Sequence, residues 1–167
     1  MIQDKVYIGT DNGLSGGIVA IKNGKIILKI IMPVINSTKT RREYNLPEIA
    51  AVFRKLKNDN EDIIVALEKS LIVPMSGRLS IVSTSFCFGM MRGMLTALKI
   101  PYVIVSARVW QKAIFVGMDR KDTKLASITY CTRLYPEEDF KATERCKKLH
   151  DGITDALCLA KYVESTY

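Results

Sequence analysis

The dipeptide Asn23-Gly24 constrains the fold of this chain most strongly, because it separates two apolar runs, GIVAI at 17–21 and KIILKII at 25–31. Asn-Gly favours a two-residue type I′ turn, which joins its flanking strands as an antiparallel hairpin. Another β-rich run at 5–10 precedes the hairpin and is connected to it by the short stretch DNGLSG. The chain is therefore predicted to open with a three-stranded meander.

Helical and extended patterns alternate after the meander. The residues predicted as strands are DIIVALE at 62–68 and PYVIVS at 101–106. Helices are predicted at 47–57, 84–99, a short stretch after Ser106 that holds Trp110, 122–134 and 149–163. The stretch 33–46 is polar and is followed by Pro47, which suits the first turn of a helix. The stretch 69–83, which contains Pro74 and Gly77, is predicted as an irregular loop.

The resulting order βββ-α-β-α-β-α-α-α predicts an α/β protein of the ribonuclease H-like type. Its five-stranded mixed sheet is expected in the order 3-2-1-4-5, with helices on both sides. The same core occurs in actin-like and sugar-kinase proteins. A length of 167 residues suggests a single domain, 1–167.

Composition narrows the partners and the compartment. The net charge of +8 and the pI of about 9.4 favour a polyanionic partner, with nucleic acid first. No apolar run approaches the ~18 residues of a membrane span, and the N-terminus lacks the layout of a signal peptide. We expect no membrane partner and a cytoplasmic location, near the nucleoid or in a phage-infected host. An organelle is the alternative if a transit peptide was removed.

The cysteine pattern argues against structural zinc. None of the four cysteines forms a C-x-x-C pair, and His150 is the only histidine. Zinc sites of that kind need four clustered ligands, usually from paired motifs. Reduced thiols in a cytosolic protein are the expected state.

Four carboxylates stand where they can meet. Asp11 ends the first predicted strand and Glu68 ends the fourth, while Asp151 and Asp155 lie four apart in HDGITDALCLA. Residues four apart share one face of a helix, where two like charges repel each other. A divalent cation removes that repulsion, and four converging carboxylates suit two Mg²⁺ ions. The glycines after Asp11 are expected to permit a tight reversal and to leave room for a metal and a phosphate backbone.

Each acid also has an ordinary structural explanation. Asp11 can cap a turn, Glu68 can be a surface acid at a strand end, and Asp151 can be the N-cap or a first-turn acid of its helix. Asp155 is the hardest to explain in this way, because it interrupts an apolar stripe where a buried acid needs a partner. The conjunction of all four favours a metal site.

The ordered set of motifs resembles the RuvC family of Holliday junction resolvases, particularly its bacteriophage-type and chloroplast-type members. The resemblance spans roughly residues 5 to 163 and rests on GTDNGLSGGIVAI, VALEKS, FGMMRGMLTALKIPYVIVSARVWQK and LHDGITDALCLAKY. It implies that Asp11, Glu68, Asp151 and Asp155 are catalytic ligands of two Mg²⁺ ions, with Mn²⁺ able to substitute. Many bacterial members place the last two acids three apart, and some have histidine at the earlier position. His150 is therefore an alternative third ligand.

The resemblance further implies a Mg²⁺-dependent endodeoxyribonuclease of the crossover-junction type. A homodimer would make paired, symmetric nicks in four-way or branched DNA, leaving 5′-phosphate and 3′-hydroxyl ends. The loop 69–83 would enter the junction. The nucleic-acid contacts predicted in that loop and elsewhere are Lys69, Met75, Arg78, Lys121, Lys124, Lys147 and Lys148.

The helix after Glu68 would contribute to the dimer interface. Its interface candidates are Phe88, Met90, Met91 and Met94. Gly89 and Gly93, four apart on the same helix, would allow close approach to a neighbouring backbone. Trp110 is expected to be packed in the protein rather than bound to DNA.

Three other functions compete with this interpretation. A different ribonuclease H-like nuclease, acting on flaps, branched DNA or RNA–DNA hybrids, shares the acids but does not need a symmetric dimer. An actin-like ATPase would use DNGLSGG as a phosphate-binding turn, but that fold normally needs a duplicated domain and the chain is basic. A junction-binding protein without catalysis is disfavoured by the intact acid set.

Overall fold

The computed structural model describes residues 4–36, 42–69 and 78–167, with side chains in the last range from residue 81 onward. One sheet has the strand order β3-β2-β1-β6-β7. Its strands are β1 (Val6–Asp11), β2 (Gly17–Lys22), β3 (Lys25–Ile31), β6 (Ile63–Glu68) and β7 (Tyr102–Val105). The helices are α1 (Leu46–Asp59), α2 (Arg78–Ala97), α3 (Ala107–Ile114), α4 (Thr123–Leu134) and α5 (Asp151–Thr166).

The predicted meander is confirmed. β1 pairs with β2 and β2 with β3, both antiparallel. Asn23 has φ 52° and Gly24 has φ 74°, as a type I′ turn requires of its two central residues. The positive φ at both positions explains why this dipeptide predicts the hairpin so well.

The sheet is mixed, as predicted, because β1 and β6 pair in parallel and so do β6 and β7. Numbered within the sheet, the order is the expected 3-2-1-4-5 of the ribonuclease H-like fold. A second, two-stranded antiparallel sheet joins β4 (Val34–Asn36) to β5 (Arg42–Tyr44). The predicted element order has no strand within 33–46 and so misses these two, because three-residue strands are too short to show an alternating pattern.

Helix α2 begins earlier than predicted. The sequence places its start near Thr84, whereas the backbone is helical from Arg78 onward. The predicted irregular stretch is therefore wrong for residues 78–83. The stretch RLSIVS contains no glycine or proline, so neither of the two strongest helix breakers opposes a helix there. The helix ends at Ala97, and Lys99 nearby has a positive φ of 53°.

Two apolar layers enclose the sheet. One face packs against residues of α3, α4 and α5, and the other packs against residues of α1 and α2. Helix α5 lies unusually close to β1, since a Cβ at Gly9 would be 1.9 Å from the carbonyl oxygen of Ala156. Only glycine at that position permits this approach. No helix in the described part of the chain is both long enough and apolar enough to cross a membrane.

Candidate functional site

Two of the four acids lie at the ends of neighbouring parallel strands. Thr10 and Leu67 are register partners in the β1–β6 pair, so Asp11 and Glu68, one residue further on, emerge at the same edge of the sheet. Asn12 links the two strand ends, because its Nδ2 donates a hydrogen bond to the carbonyl oxygen of Glu68 at 2.6 Å. The separation of the two acids is thus defined by backbone pairing and by one buried amide.

The start of α5 reaches the same edge through glycines. Gly16 and Gly152 form an isolated parallel bridge, and a Cβ at Gly152 would lie 2.3 Å from the carbonyl oxygen of Ser15. A Cβ at Gly16 would lie 2.2 Å from the carbonyl oxygen of Asp11. Gly16 therefore lets the turn after Asp11 close tightly, and Gly152 lets the start of α5 lie against that turn.

The buried acids influence one another. The pKa of Glu68 is raised to about 7, chiefly by burial and also by the charges of Asp11 and Asp155, while a hydrogen bond from Trp110 acts to lower it. The pKa of Asp155 is likewise raised to about 7, chiefly by burial and also by the charges of Asp11 and Asp151, while a hydrogen bond with Ser127 acts to lower it. Burial also raises the pKa of Asp11. These mutual effects show that the four carboxylates share one electrostatic environment.

Asp151 differs from the other three because a cation accompanies it. Nζ of Lys124 lies 2.6 Å from Oδ2 of Asp151, and Gly152 donates its backbone N–H to Oδ1 at 3.2 Å. Burial acts to raise the pKa of Asp151, but these partners together hold it below the ordinary value. Lys124 also feels the charges of Asp155 and Asp11. It is therefore the cation that faces the acidic cluster in the described structure.

His150 has a structural position at the start of α5. Its Nδ1 accepts the backbone N–H of Ile153 at 3.3 Å, which makes His150 the N-cap and Asp151 the first-turn acid. Aspartate at that position interacts favourably with the helix dipole.

The donor set fits a hard divalent cation. It consists of carboxylate oxygens from three separate elements, which is the ligand type that Mg²⁺ and Mn²⁺ take. In residues 4–36, 42–69 and 78–167, no three carboxylate, imidazole or thiol groups lie close enough together to hold one ion as they stand. The four carboxylates are near enough to influence one another's pKa, but a bound ion would have to draw them closer together.

The predicted DNA-contacting residues are placed unevenly. Lys124 is at the acids, and Lys69 is exposed directly after Glu68. The side chains of Lys121, Lys147 and Lys148 are exposed. Within the described chain, none of the three forms a hydrogen bond or ion pair with the four acids. Met75 lies outside the described residues. Arg78 is the first residue of α2, and its side chain also falls outside them.

Two residues at the site were not predicted to act there. Trp110 is packed as expected, with 1% exposure, but its Nε1 donates to Oε2 of Glu68 at 3.0 Å. Asn12, which joins the strand ends, is 3% exposed. A buried indole N–H usually finds a hydrogen-bond acceptor, which indicates a polar neighbour for Trp110. The sequence alone does not identify that neighbour.

The outer face of α2 differs from the predicted interface. Met91 is fully buried in the core of this chain, which corrects its assignment to the interface, and Phe88, Met90 and Met94 pack partly against the same core. A Cβ at Gly89 or Gly93 would meet nothing within 4 Å among the described residues. Among the described side chains of this helix, the large apolar ones that are exposed are Val82 at 66% and Phe86 at 56%.

The strand order and the flanking helices are those of the ribonuclease H-like fold. Solved structures with the same fold include RuvC from Thermus thermophilus in complex with a Holliday junction substrate, with a TM-score of 0.59, 11% identity and 96% of each chain covered. A second Thermus thermophilus RuvC structure gives a TM-score of 0.57, 15% identity and the same coverage. The chain thus shares its fold with RuvC over nearly its whole length. No protein-family model and no curated protein matches the sequence.

Proposed function

We propose that this chain is a divalent-metal-dependent endonuclease that resolves four-way DNA junctions. The observation that carries the proposal is the placement of four carboxylates, from β1, β6 and α5, near enough to one sheet edge of a RuvC-type fold to influence one another electrostatically. Pure stability would not select this cluster, because the burial that raises the pKa of Glu68 and Asp155 also makes their ionised forms costly. The net charge of +8 supports a polyanionic substrate.

Asp11, Glu68, Asp151 and Asp155 are the residues that would hold two Mg²⁺ ions, with Mn²⁺ as a substitute. When bound, such ions supply the positive charge that activates a water nucleophile and stabilises the leaving 3′ oxygen of a phosphodiester. The expected products are a 5′-phosphate and a 3′-hydroxyl. The half-buried strand ends would hold the Asp11 and Glu68 carboxylates, and α5 would supply the other two.

Lys124 has a specific part in this proposal. Its side chain is 72% exposed, so the ammonium is free to leave Asp151 and to contact a phosphate when DNA binds. Lys69, Lys121, Lys147 and Lys148 would add contacts along the backbone, which supply affinity without sequence information.

A homodimer is part of the proposal, because two opposed strands of a two-fold symmetric junction must be cut. The exposed face of α2 supports it. Val82, Phe86, Gly89 and Gly93 recur at helical spacing on that face, and the two glycines leave its backbone open to a second helix. The same face on a second copy would cover the exposed apolar side chains.

The decisive assay incubates the purified protein with mobile four-way junctions and Mg²⁺, beside duplex, flap and RNA–DNA hybrid substrates. We expect paired nicks in the junction and little cutting of the others. Asp11→Asn should abolish cutting and leave junction binding nearly unchanged, because binding comes mainly from basic residues. Asp59→Asn, at an exposed aspartate of α1, is the matched control and should cut normally.

Two outcomes would contradict the proposal. Preferential cutting of flaps or hybrids would favour the other ribonuclease H-like nuclease instead. Full activity of Asp11→Asn would remove the metal-ligand role from the residue on which the site depends most.

A further inference from the structure

The indole of Trp110 joins the core to the acidic site. Its ring packs edge-to-face on Phe115, with centroids 5.5 Å apart and planes at 74°, and only 1% of the residue is exposed. Its Nε1 donates to Oε2 of Glu68 at 3.0 Å. Because packing restrains the indole, this hydrogen bond restrains the position of one carboxylate oxygen.

The backbone of Glu68 is held independently of that bond. Glu68 pairs with Val105 at the end of β6, and the backbone N–H of Lys69 donates to the carbonyl oxygen of Val105 at 2.7 Å. The carbonyl oxygen of Glu68 accepts from Nδ2 of Asn12 at 2.6 Å. What remains free is rotation of the Glu68 side chain, and restricting that rotation costs conformational entropy. The Trp110 hydrogen bond restricts it before any ligand arrives.

We propose that Trp110 is a positioning residue, which orients Glu68 so that its other oxygen, Oε1, faces an incoming divalent cation. This inference rests on the proposed metal-dependent function. Hydrogen bonds that orient metal-ligating side chains typically change metal affinity by ~10–100-fold when they are removed. The competing explanation is that Glu68 merely satisfies a buried indole N–H, in which case loss of the bond would alter stability and leave metal affinity unchanged.

The single tryptophan of the chain permits a one-atom test. Growth with β-(3-benzothienyl)alanine in a tryptophan auxotroph replaces the indole N–H of Trp110 by sulfur and keeps the shape of the ring. We expect the Mn²⁺ dissociation constant, measured by calorimetry and by the electron paramagnetic resonance of free Mn²⁺, to rise about tenfold or more. Junction binding without metal should not change. An unchanged Mn²⁺ dissociation constant would overturn the inference.

Two variants separate the hydrogen bond from packing. Trp110→Phe also removes the N–H and serves if the sulfur analogue does not fold. Phe115→Leu loosens the same aromatic contact but leaves the N–H in place, so it should bind Mn²⁺ nearly as the native protein does. A loss of affinity in Phe115→Leu as large as in the sulfur analogue would attribute the effect to packing and overturn the inference.

The hydrogen bond can also be observed without metal. An amide ¹H–¹⁵N spectrum contains one indole cross-peak, which belongs to Trp110 and needs no further assignment. Glu68→Gln should shift it, whereas Glu61→Gln, at an exposed glutamate before β6, should not. If the chemical shift of the indole cross-peak is the same in Glu68→Gln as in the native protein, the inference is contradicted.

The proposed function and this inference fail in different ways. If the native protein binds no Mn²⁺, the metal site itself is refuted, and the positioning role falls with it. If the native protein binds Mn²⁺ and the sulfur analogue binds it equally well, only the role of Trp110 is refuted.

Discussion

Neutralising Glu68 should stabilise the metal-free protein, and the gain should depend on pH. Glu68 ionises with a pKa of about 7 in the folded chain, against an ordinary value of 4.5, because it is buried beside Asp11 and Asp155. An acid whose pKa is raised by folding does not lower the free energy of unfolding at pH values below its unfolded pKa, because it is protonated in both states. The free energy of unfolding then falls as the pH rises from the unfolded to the folded pKa, and the loss is complete above the folded pKa. Here the interval runs from about pH 4.5 to about pH 7.

The size of the effect follows from the same pKa values. Each pKa unit corresponds to ~1.36 kcal/mol, so ionised Glu68 destabilises the folded chain by roughly 3 kcal/mol at pH 8. Glu68→Gln removes that charge and keeps an oxygen that can accept the Trp110 hydrogen bond. We expect the variant to equal the native protein in free energy of unfolding near pH 4.5. At pH 8 it should exceed the native protein by roughly 3 kcal/mol, or about 6–12 °C in Tm for a chain of this size.

Urea unfolding in the presence of a chelator, at pH values from 4.5 to 8, measures the difference directly. Glu61→Gln is the matched control at an exposed glutamate, and its difference from the native protein should stay flat with pH. Saturating Mg²⁺ should then stabilise the native protein by about 2.7 kcal/mol at 100 times its dissociation constant, and Glu68→Gln much less. A difference between Glu68→Gln and the native protein that is constant across this pH range would refute the electrostatic reasoning.

Three other perturbations test separate parts of the structure. Gly9→Ala would place a Cβ 1.9 Å from the carbonyl oxygen of Ala156, so the free energy of unfolding in urea should fall by about 3 kcal/mol or more. Gly24→Ala is the control, because its Cβ would lie in open space at a positive φ, and it should lower the free energy of unfolding by only about 1 kcal/mol. Gly89→Ala should favour helix α2 by up to ~1 kcal/mol and weaken self-association in sedimentation equilibrium, and an unchanged dimer would exclude this face. Lys124→Gln removes the cation that pairs with Asp151, so calorimetry should show Mg²⁺ binding about two- to fivefold more tightly than in the native protein. The variant should nevertheless cut junctions more slowly. Weaker Mg²⁺ binding would contradict this prediction.

Local patterns in the sequence were enough to predict the sheet. The Asn23-Gly24 turn and the alternation of strands with helices determine a meander followed by α/β units, and the strand order agrees with the structure. Short elements escaped this reasoning. The β4–β5 pair is only three residues long on each side, and the first residues of α2 follow breakers that suggested a loop.

The role of the glycines could be assigned only in three dimensions. The sequence indicates a tight turn after Asp11, and a metal or a phosphate is a reasonable occupant of the space. The structure shows that Gly152, at the start of α5, lies against Ser15 and Gly16 in the turn between β1 and β2. A close approach between segments more than a hundred residues apart leaves no pattern in either segment alone.

The sequence by itself determined which acids the protein has, the element that carries each, and the order of the strands that bring Asp11 and Glu68 side by side. These properties depend on local periodicity and on turn chemistry, which act over a few residues. Only the tertiary structure decided what surrounds the acids: Trp110 on Glu68, Asn12 between the strand ends and Lys124 on Asp151. Those contacts depend on how separate elements pack, and packing is a property of the whole folded chain.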